Sequence, residues 1–158
     1  MEAKSIIKLY LKTKKKIQAN EDEVKRLENQ IDIYSSEYAQ RELHEKKEKD
    51  CHRSILEIKK ENDHYRKLLE IVDKGLKLVK EQGTDYVCKL FYQNNFDGRT
   101  QENIAMREHL SKSTTQRMIG SLNHLLIEHI KLELEAYLEE NAEFQKLLKK
   151  KKQKLKNK

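Results

Sequence analysis

Apolar residues recur along this chain at helical spacing, in two long series that do not share a phase. From Ala3 to about Arg41 the series is Ile6, Tyr10, Ile17, Val24, Leu27, Ile31, Tyr34 and Tyr38, a heptad whose seam also takes in Thr13 and Asn20. Lys and Glu flank it, many of them four residues apart, which suits an exposed helix. Between Arg41 and Arg53 the pattern dies out. RELHEKKEKDCHR offers only Leu43 and Cys51 as apolar residues, and Asp50 is placed to cap a new helix.

The second series runs Cys51, Ile55, Ile58, Asn62, Tyr65, Leu69, Val72, Leu76 and Val79. Extending the first register into it would miss Ile58, Tyr65, Val72 and Val79. A phase slip within a polar stretch leaves two readings, a fold-back into an antiparallel helical hairpin or a coiled coil with a local disturbance. The hairpin is preferred, because one helix of ~80 residues would be ~120 Å long. Asn62 in the seam would then help to fix register.

Gln82-Gly83-Thr84 ends this arm, with Gly83 expected in the left-handed region and Thr84 or Asp85 as the next cap. DYVCKLFYQ then predicts a short helix, with Val87, Leu90 and Phe91 facing a core. NNFDGR is a turn in which Gly98 permits positive φ. Thr100 caps the following helix, with Asn103 as a weak reciprocal partner. Ile104 and Ala105 face inward, and the small Ala105 lets another helix cross close by.

At His109 and Leu110 the pattern breaks again, and Ser111 supplies a further cap. Beyond it Met118, Leu122, Leu125 and Leu126 form an apolar stripe that continues through Ile130, Leu134, Tyr137, Leu138, Phe144, Leu147 and Leu148. This extension is expected to lie along the N-terminal arm or to pair with another subunit. The predicted organisation is all-α: an arm over 1–82, a three-helix unit over 83–130 (about Asp85–Gln93, Thr100–Arg107 and Ser111 onward), and a C-terminal helix over 131–158.

Composition agrees with thin helical packing. Charged residues make up 39% of the 158 residues and hydrophobic ones 36%, with no Trp and three Phe, too little for a large core. No Pro and only four Gly interrupt helices. The net charge of +7 favours a polyanionic partner. The C-terminus adds eight lysines without an acid between Lys146 and Lys158, a block suited either to tracking DNA phosphates or to solubility alone. Cys51 and Cys88 are expected to be reduced thiols. With no apolar run of membrane-spanning length and no signal-peptide core, a soluble cytoplasmic protein is expected.

Catalytic and metal chemistry find no footing. His124 and His129 are five apart, which does not place two ligands on one helical face, and neither HExxH nor CxxC occurs. There is no phosphate-cradling glycine loop and no nucleophile elbow. The expectation is no enzyme, no cofactor and no metal.

What remains is the helix opening at Ser111. Opposite its apolar stripe it carries Lys112, Ser113, Gln116 and Arg117, with Thr114 close by, types that suit base edges and phosphates in a major groove. Arg99, Thr100 and Gln101, at the start of the preceding helix, are placed for phosphate contact, Thr100 equally for capping alone. The run Leu90, Tyr92, Asp97-Gly98, Thr100, Ile104-Ala105, Leu110, Ser111 and Ser113-Thr114 resembles the promoter-binding helix-turn-helix of bacterial sigma factors (region four), over about Asp85 to Leu126. In size and layout the whole chain looks like the phage late-gene transcriptional activators of the ArpU/RinA type.

The resemblance implies a sequence-specific DNA-binding regulator in a bacterial host, with double-stranded DNA and host RNA polymerase as partners. The arm, Ala3 to Gln82, is expected to oligomerise the protein, as a homodimer, or to dock a partner. His109 departs from it at a turn position usually held by Gly, and Glu108 at an expected apolar position, where it would loosen the core. The rival expectation is a coiled-coil adaptor or structural protein whose small helical unit binds protein. Arg117→Ala is expected to weaken binding to the operator more than to random DNA.

Overall fold

The computed structural model describes residues 1–36 and 41–156 and is all-α, with no strand among them. Five helices follow in order: α1 (Ala3–Ser36), α2 (Arg41–Gln82), α3 (Asp85–Asn95), α4 (Gln101–Arg107) and α5 (Lys112–Lys156). They divide into two compact units, Met1–Lys8 with Glu70–Lys158, and Leu9–Leu69. No helix is long and apolar enough to cross a membrane.

In the Leu9–Leu69 unit the chain doubles back. Asn20 donates its amide to Asn62 Oδ1 at 2.8 Å, Arg66 meets Glu21 at 3.3 Å, and the Cys51 thiol points to Gln30 Oε1 at 3.9 Å. Ten residues further along α1 than Asn20, Gln30 meets Cys51, eleven residues earlier on α2 than Asn62, so α1 and α2 run antiparallel. The fold-back is the reading that holds, but its position differs from expectation. Arg41 to Arg53 is helical and Asp50 lies inside α2 instead of capping it. The polar stretch loses its apolar seam without losing its helix, because it contains neither Pro nor Gly. Tyr38 lies outside the described residues.

The core of this unit is narrow: Leu27, Cys51 and Ile55, flanked by Val24, Ile31, Tyr34 and Ile58. Polar seam positions are hydrogen-bonded internally. Thr13, 4% exposed, donates its hydroxyl to the Leu9 carbonyl one turn back. Asn62, 3% exposed, also reaches the Ile17 carbonyl at 3.5 Å.

The other unit is held by α5. Leu90, Ile104 and Ile119 are fully buried together, with Leu110 and Met118 packed against them, so one residue from each of α3, α4 and α5 meets at the centre. Ile119 and Thr115, both 0% exposed, lie outside the expected stripe of Met118, Leu122, Leu125 and Leu126. Ile119 lies one turn before Leu122 on the buried face, whereas Met118 and Leu125 are only half-buried at its edge. Thr115 escapes a hydrophobic reading because its hydroxyl returns to the Ser111 carbonyl at 3.0 Å, leaving its methyl for the core.

The last part of α2 packs beneath α5. Gly75 permits this approach, since a Cβ there would stand 2.5 Å from Leu126 Cδ1 and 2.7 Å from Ile130 Cγ2. Leu68 is buried where Leu69 was expected, and Leu69 is half-buried. Gly83 also serves close approach, not the left-handed turn expected of it: positive φ among the described residues occurs at Gly98 and His109. A side chain at Gly83 would press on Cys88 Sγ at 2.8 Å and on the Val79 carbonyl at 3.0 Å. Along α5 burial continues through Leu126, Ile130, Leu134 and Tyr137. Ile6 and Leu134 line the same small cavity of about 90 Å³, so α5 covers the start of its own chain in this stretch.

Candidate nucleic-acid interface

Three short structures place the first turns of α5. Thr84 caps α3 by accepting from the Val87 amide at 3.3 Å, and Thr100 caps α4 by accepting from the Asn103 amide at 3.1 Å. Ser111 caps α5 through its hydroxyl, which accepts from the Thr114 amide at 3.1 Å. Between the second and third of these the chain turns at His109, with φ of 55°. The Leu110 amide reaches back to the Ala105 carbonyl at 2.9 Å and the His109 amide to Met106 at 3.4 Å. That bond pair is a Schellman closure, and the apolar residue following the left-handed position, Leu110, packs into the core as the motif requires.

The α3–α4 turn is fixed from within. Gly98 has φ of 74°, the Arg99 amide donates to the Gln93 carbonyl at 3.0 Å, and Asn94 donates its side-chain amide to the Arg99 carbonyl at 2.8 Å. Asn95 donates to Asn123 Oδ1 at 2.9 Å, tying the end of α3 to α5.

Glu108 is not in the core. It is the C-cap of α4, and its carboxylate accepts from Lys89 Nζ and from the Tyr86 hydroxyl, each at 3.1 Å. The Lys89 bond, then the Tyr86 bond, holds its pKa below the usual carboxylate value. The expected loosening of the core does not occur, because the helix has already ended and the side chain turns outward to α3. Tyr86 is pushed up from its ordinary value by desolvation first and by the bond to Glu108 second. Cys88 is likewise raised by burial, then by Asp85, so this thiol stays protonated and donates to the Val79 carbonyl at 3.5 Å.

On this support Lys112, Ser113, Gln116 and Arg117 are all exposed at the start of α5. Thr114 is half-buried and its hydroxyl accepts from Ser111 at 2.7 Å, so it is partly committed to the cap. Thr100 is exposed but uses its hydroxyl as a cap, while Arg99 and Gln101, both half-buried, flank it at the start of the same helix. Thr100 and Gln101 line a cavity of about 500 Å³ with Asn94, Asn95, Asn123 and Ile127. The structure thus groups the α5 residues on one open face and gives the α4 residues mixed roles.

One residue of this surface is invisible to the sequence pattern. Glu102, exposed in the first turn of α4, accepts from Lys112 Nζ at 3.0 Å and links the starts of the two helices. Periodicity shows no acid on the α5 face because Glu102 belongs to another helix. Only the tightness of the His109 turn brings it across.

Chemically, the surface offers one guanidinium, one ammonium already paired with a carboxylate, an amide and a hydroxyl. These can donate to phosphate or base-edge acceptors, and the glutamine can also accept. Among the described residues no group of three or more His, Cys, Asp or Glu is placed to hold a metal ion. Compared with protein-family models, with curated proteins and with solved structures, the chain finds no match.

Proposed function

We propose that this chain is a sequence-specific DNA-binding transcriptional regulator of the phage late-activator kind, acting in the cytoplasm of a bacterial host. In this reading α4, the His109 turn and α5 form a helix-turn-helix. Gln116 and Arg117 read base edges in the major groove while Lys112, Ser113 and Thr114 engage the backbone, with Arg99, Thr100 and Gln101 flanking. The α1–α2 hairpin serves association, with a second copy or with RNA polymerase.

The observation that carries the reading is the open polar end of α5, with Arg117 and Gln116 exposed one face away from the fully buried Thr115 and Ile119. A recognition helix needs this division, since its buried side must be rigid for the other side to hold register on a base pair. Glu108, placed outside the core by its bonds to Lys89 and Tyr86, no longer counts toward a protein-binding adaptor, for which the incomplete motif still speaks.

The test is selection of a preferred duplex from a random pool, followed by gel-shift comparison with a scrambled duplex near physiological salt. A specificity ratio of about 10³ or more is expected. Arg117→Ala should then cost about 1–3 kcal/mol on the selected duplex and less on the scrambled one. An equal loss on both would move Arg117 to the phosphates. A ratio near one for the unaltered protein would overturn the regulator and leave the adaptor.

A further inference from the structure

The polar end of α5 and the lysine block lie on one uninterrupted helix of 45 residues, Lys112–Lys156. At ~1.5 Å rise per residue, Lys146 stands about 50 Å along that helix from Lys112. The two ends carry different chemistry. The first turns mix hydroxyls, an amide, one guanidinium and the Lys112 ammonium paired with Glu102, whereas Lys146, Lys149, Lys150, Lys151 and Lys154 are all exposed and no acid follows Lys146. These five ammonium groups have no hydrogen-bond or ion-pair partner among the described residues. The helix therefore holds a second, purely electrostatic surface far from the first.

A major groove ~12 Å wide admits a helix but winds around the duplex, so a long straight helix seated by its first turns cannot follow it. Beyond those turns α5 leaves the duplex, and its far end passes out of a lysine's reach of the phosphates just engaged. The lysines are unsuited to reinforcing that contact. They are suited to a second strand of phosphates.

We propose that α5 is a two-ended bridge, its start holding one duplex and the Lys146–Lys156 segment holding the backbone of another. This rests on the DNA-binding reading above. Duplex DNA is the partner favoured here because its charge is dense and continuous, one phosphate per ~1.7 Å of axis, and matches lysines spread around the helix. The sequence adds little to seat this segment in a lipid surface. Leu147, 59% exposed, is the one large apolar side chain of the segment that stands open to solvent among its described residues, and neither Trp nor Tyr follows Tyr137.

The experiment uses the full chain with two duplexes, one immobilised on beads and the other fluorescent and in solution. The unaltered protein should capture the fluorescent duplex on the beads. Replacing Lys146, Lys149, Lys150, Lys151 and Lys154 together by Gln should cut capture about tenfold or more and lower its salt slope by roughly 0.9 for each phosphate no longer neutralised. All five positions are exposed, and a helical circular-dichroism spectrum with the same melting temperature confirms that the variant folds. Its binding to the selected duplex alone should stay within about twofold, and Arg117→Ala should lower sequence preference while leaving the lysine-dependent contact.

Capture that survives the five-fold substitution would assign bridging to a dimer and overturn the proposal. Loss of the selected-duplex preference in the lysine variant would place both surfaces on one duplex and overturn it equally. Lysine-dependent binding to vesicles containing phosphatidylserine, without capture of a second duplex, would reassign the segment to a membrane surface. If no duplex is preferred by the unaltered protein but capture still depends on the lysines, the regulator reading fails and the electrostatic surface stands.

Discussion

Asn62, 3% exposed in α2, accepts a 2.8 Å hydrogen bond from the side-chain amide of Asn20 on the facing helix. The pair joins residues 42 apart in sequence and sits in a mostly apolar seam. An amide there gains little over water. It costs a great deal if its partner slips away, so each neighbouring register is penalised. Asn62→Ala should lower the stability of the protein by about 1–3 kcal/mol, read from the midpoint of urea unfolding. Replacing Asn20 and Asn62 together by Leu should recover the loss while admitting alternative pairings. Those pairings would appear as new cross-links between engineered cysteines on α1 and α2.

Glu108 makes the α3–α4 contact depend on pH. Its carboxylate is held below its ordinary value by Lys89 first and Tyr86 second. For a group whose pKa is depressed on folding, the stabilisation is present above the unfolded value and disappears as pH falls through the folded one. Melting temperature should therefore fall below about pH 4.5, the ordinary glutamate region. Part of that fall should vanish in Glu108→Gln. An unchanged acid profile in the variant would show that the two bonds contribute nothing in solution.

Gly75 and Gly120 should respond to alanine with opposite signs. At Gly120 a Cβ meets nothing within 4 Å, so Gly120→Ala gains the helix propensity that glycine lacks, about 0.5–1 kcal/mol. At Gly75 the same change drives a methyl into Leu126 and Ile130, which are 0% and 2% exposed and have no space into which to withdraw. Overpacking of ~1–3 kcal/mol exceeds the propensity gain, so Gly75→Ala should unfold at lower temperature than the parent. A rise in melting temperature for both would mean that α2 and α5 pack less closely here.

His109 carries the turn in a conformation that costs an L-residue roughly 1–2 kcal/mol. Its φ of 55° makes His109→Gly stabilising by a fraction of that amount and His109→Val destabilising. Thermal melts of the two variants would bracket the parent if the Schellman closure governs the turn.

Much of this fold is legible in the order of residues, and particular positions explain where that legibility stops. Thr100 and Ser111 announce their helices because capping is local chemistry, decided within four residues. His109 is legible as a turn for the same reason. The antiparallel hairpin follows from a phase slip between two heptads, but its turn does not, since Arg41–Arg53 is polar without containing a breaker. Gly83 misleads and Gly75 stays silent because their reason is another helix's side chain, which no window around them contains. Glu108 belongs to the core only if α4 runs one residue further, and the helix has already closed at Arg107. At the candidate site the exposed α5 residues are legible from periodicity. The Glu102–Lys112 pair is not, because it is formed across the turn.

The unit that carries α3, α4 and α5 also includes Met1–Lys8, separated from it in sequence by the whole of Leu9–Leu69. Ile6, 1% exposed, shares a cavity with Leu134, which is made more than a hundred residues later. During synthesis the Asn20–Asn62 pair of the hairpin spans a separation of only 42 residues, while the cavity wall that α5 gives Ile6 waits until that helix has grown to its midpoint. Closing so wide a loop costs only about 0.6 kcal/mol more per doubling of its length. The delay is therefore one of timing rather than of stability. A nascent chain stalled near residue 120 would show the arm formed and the Ile6 cavity still without its Leu134 wall.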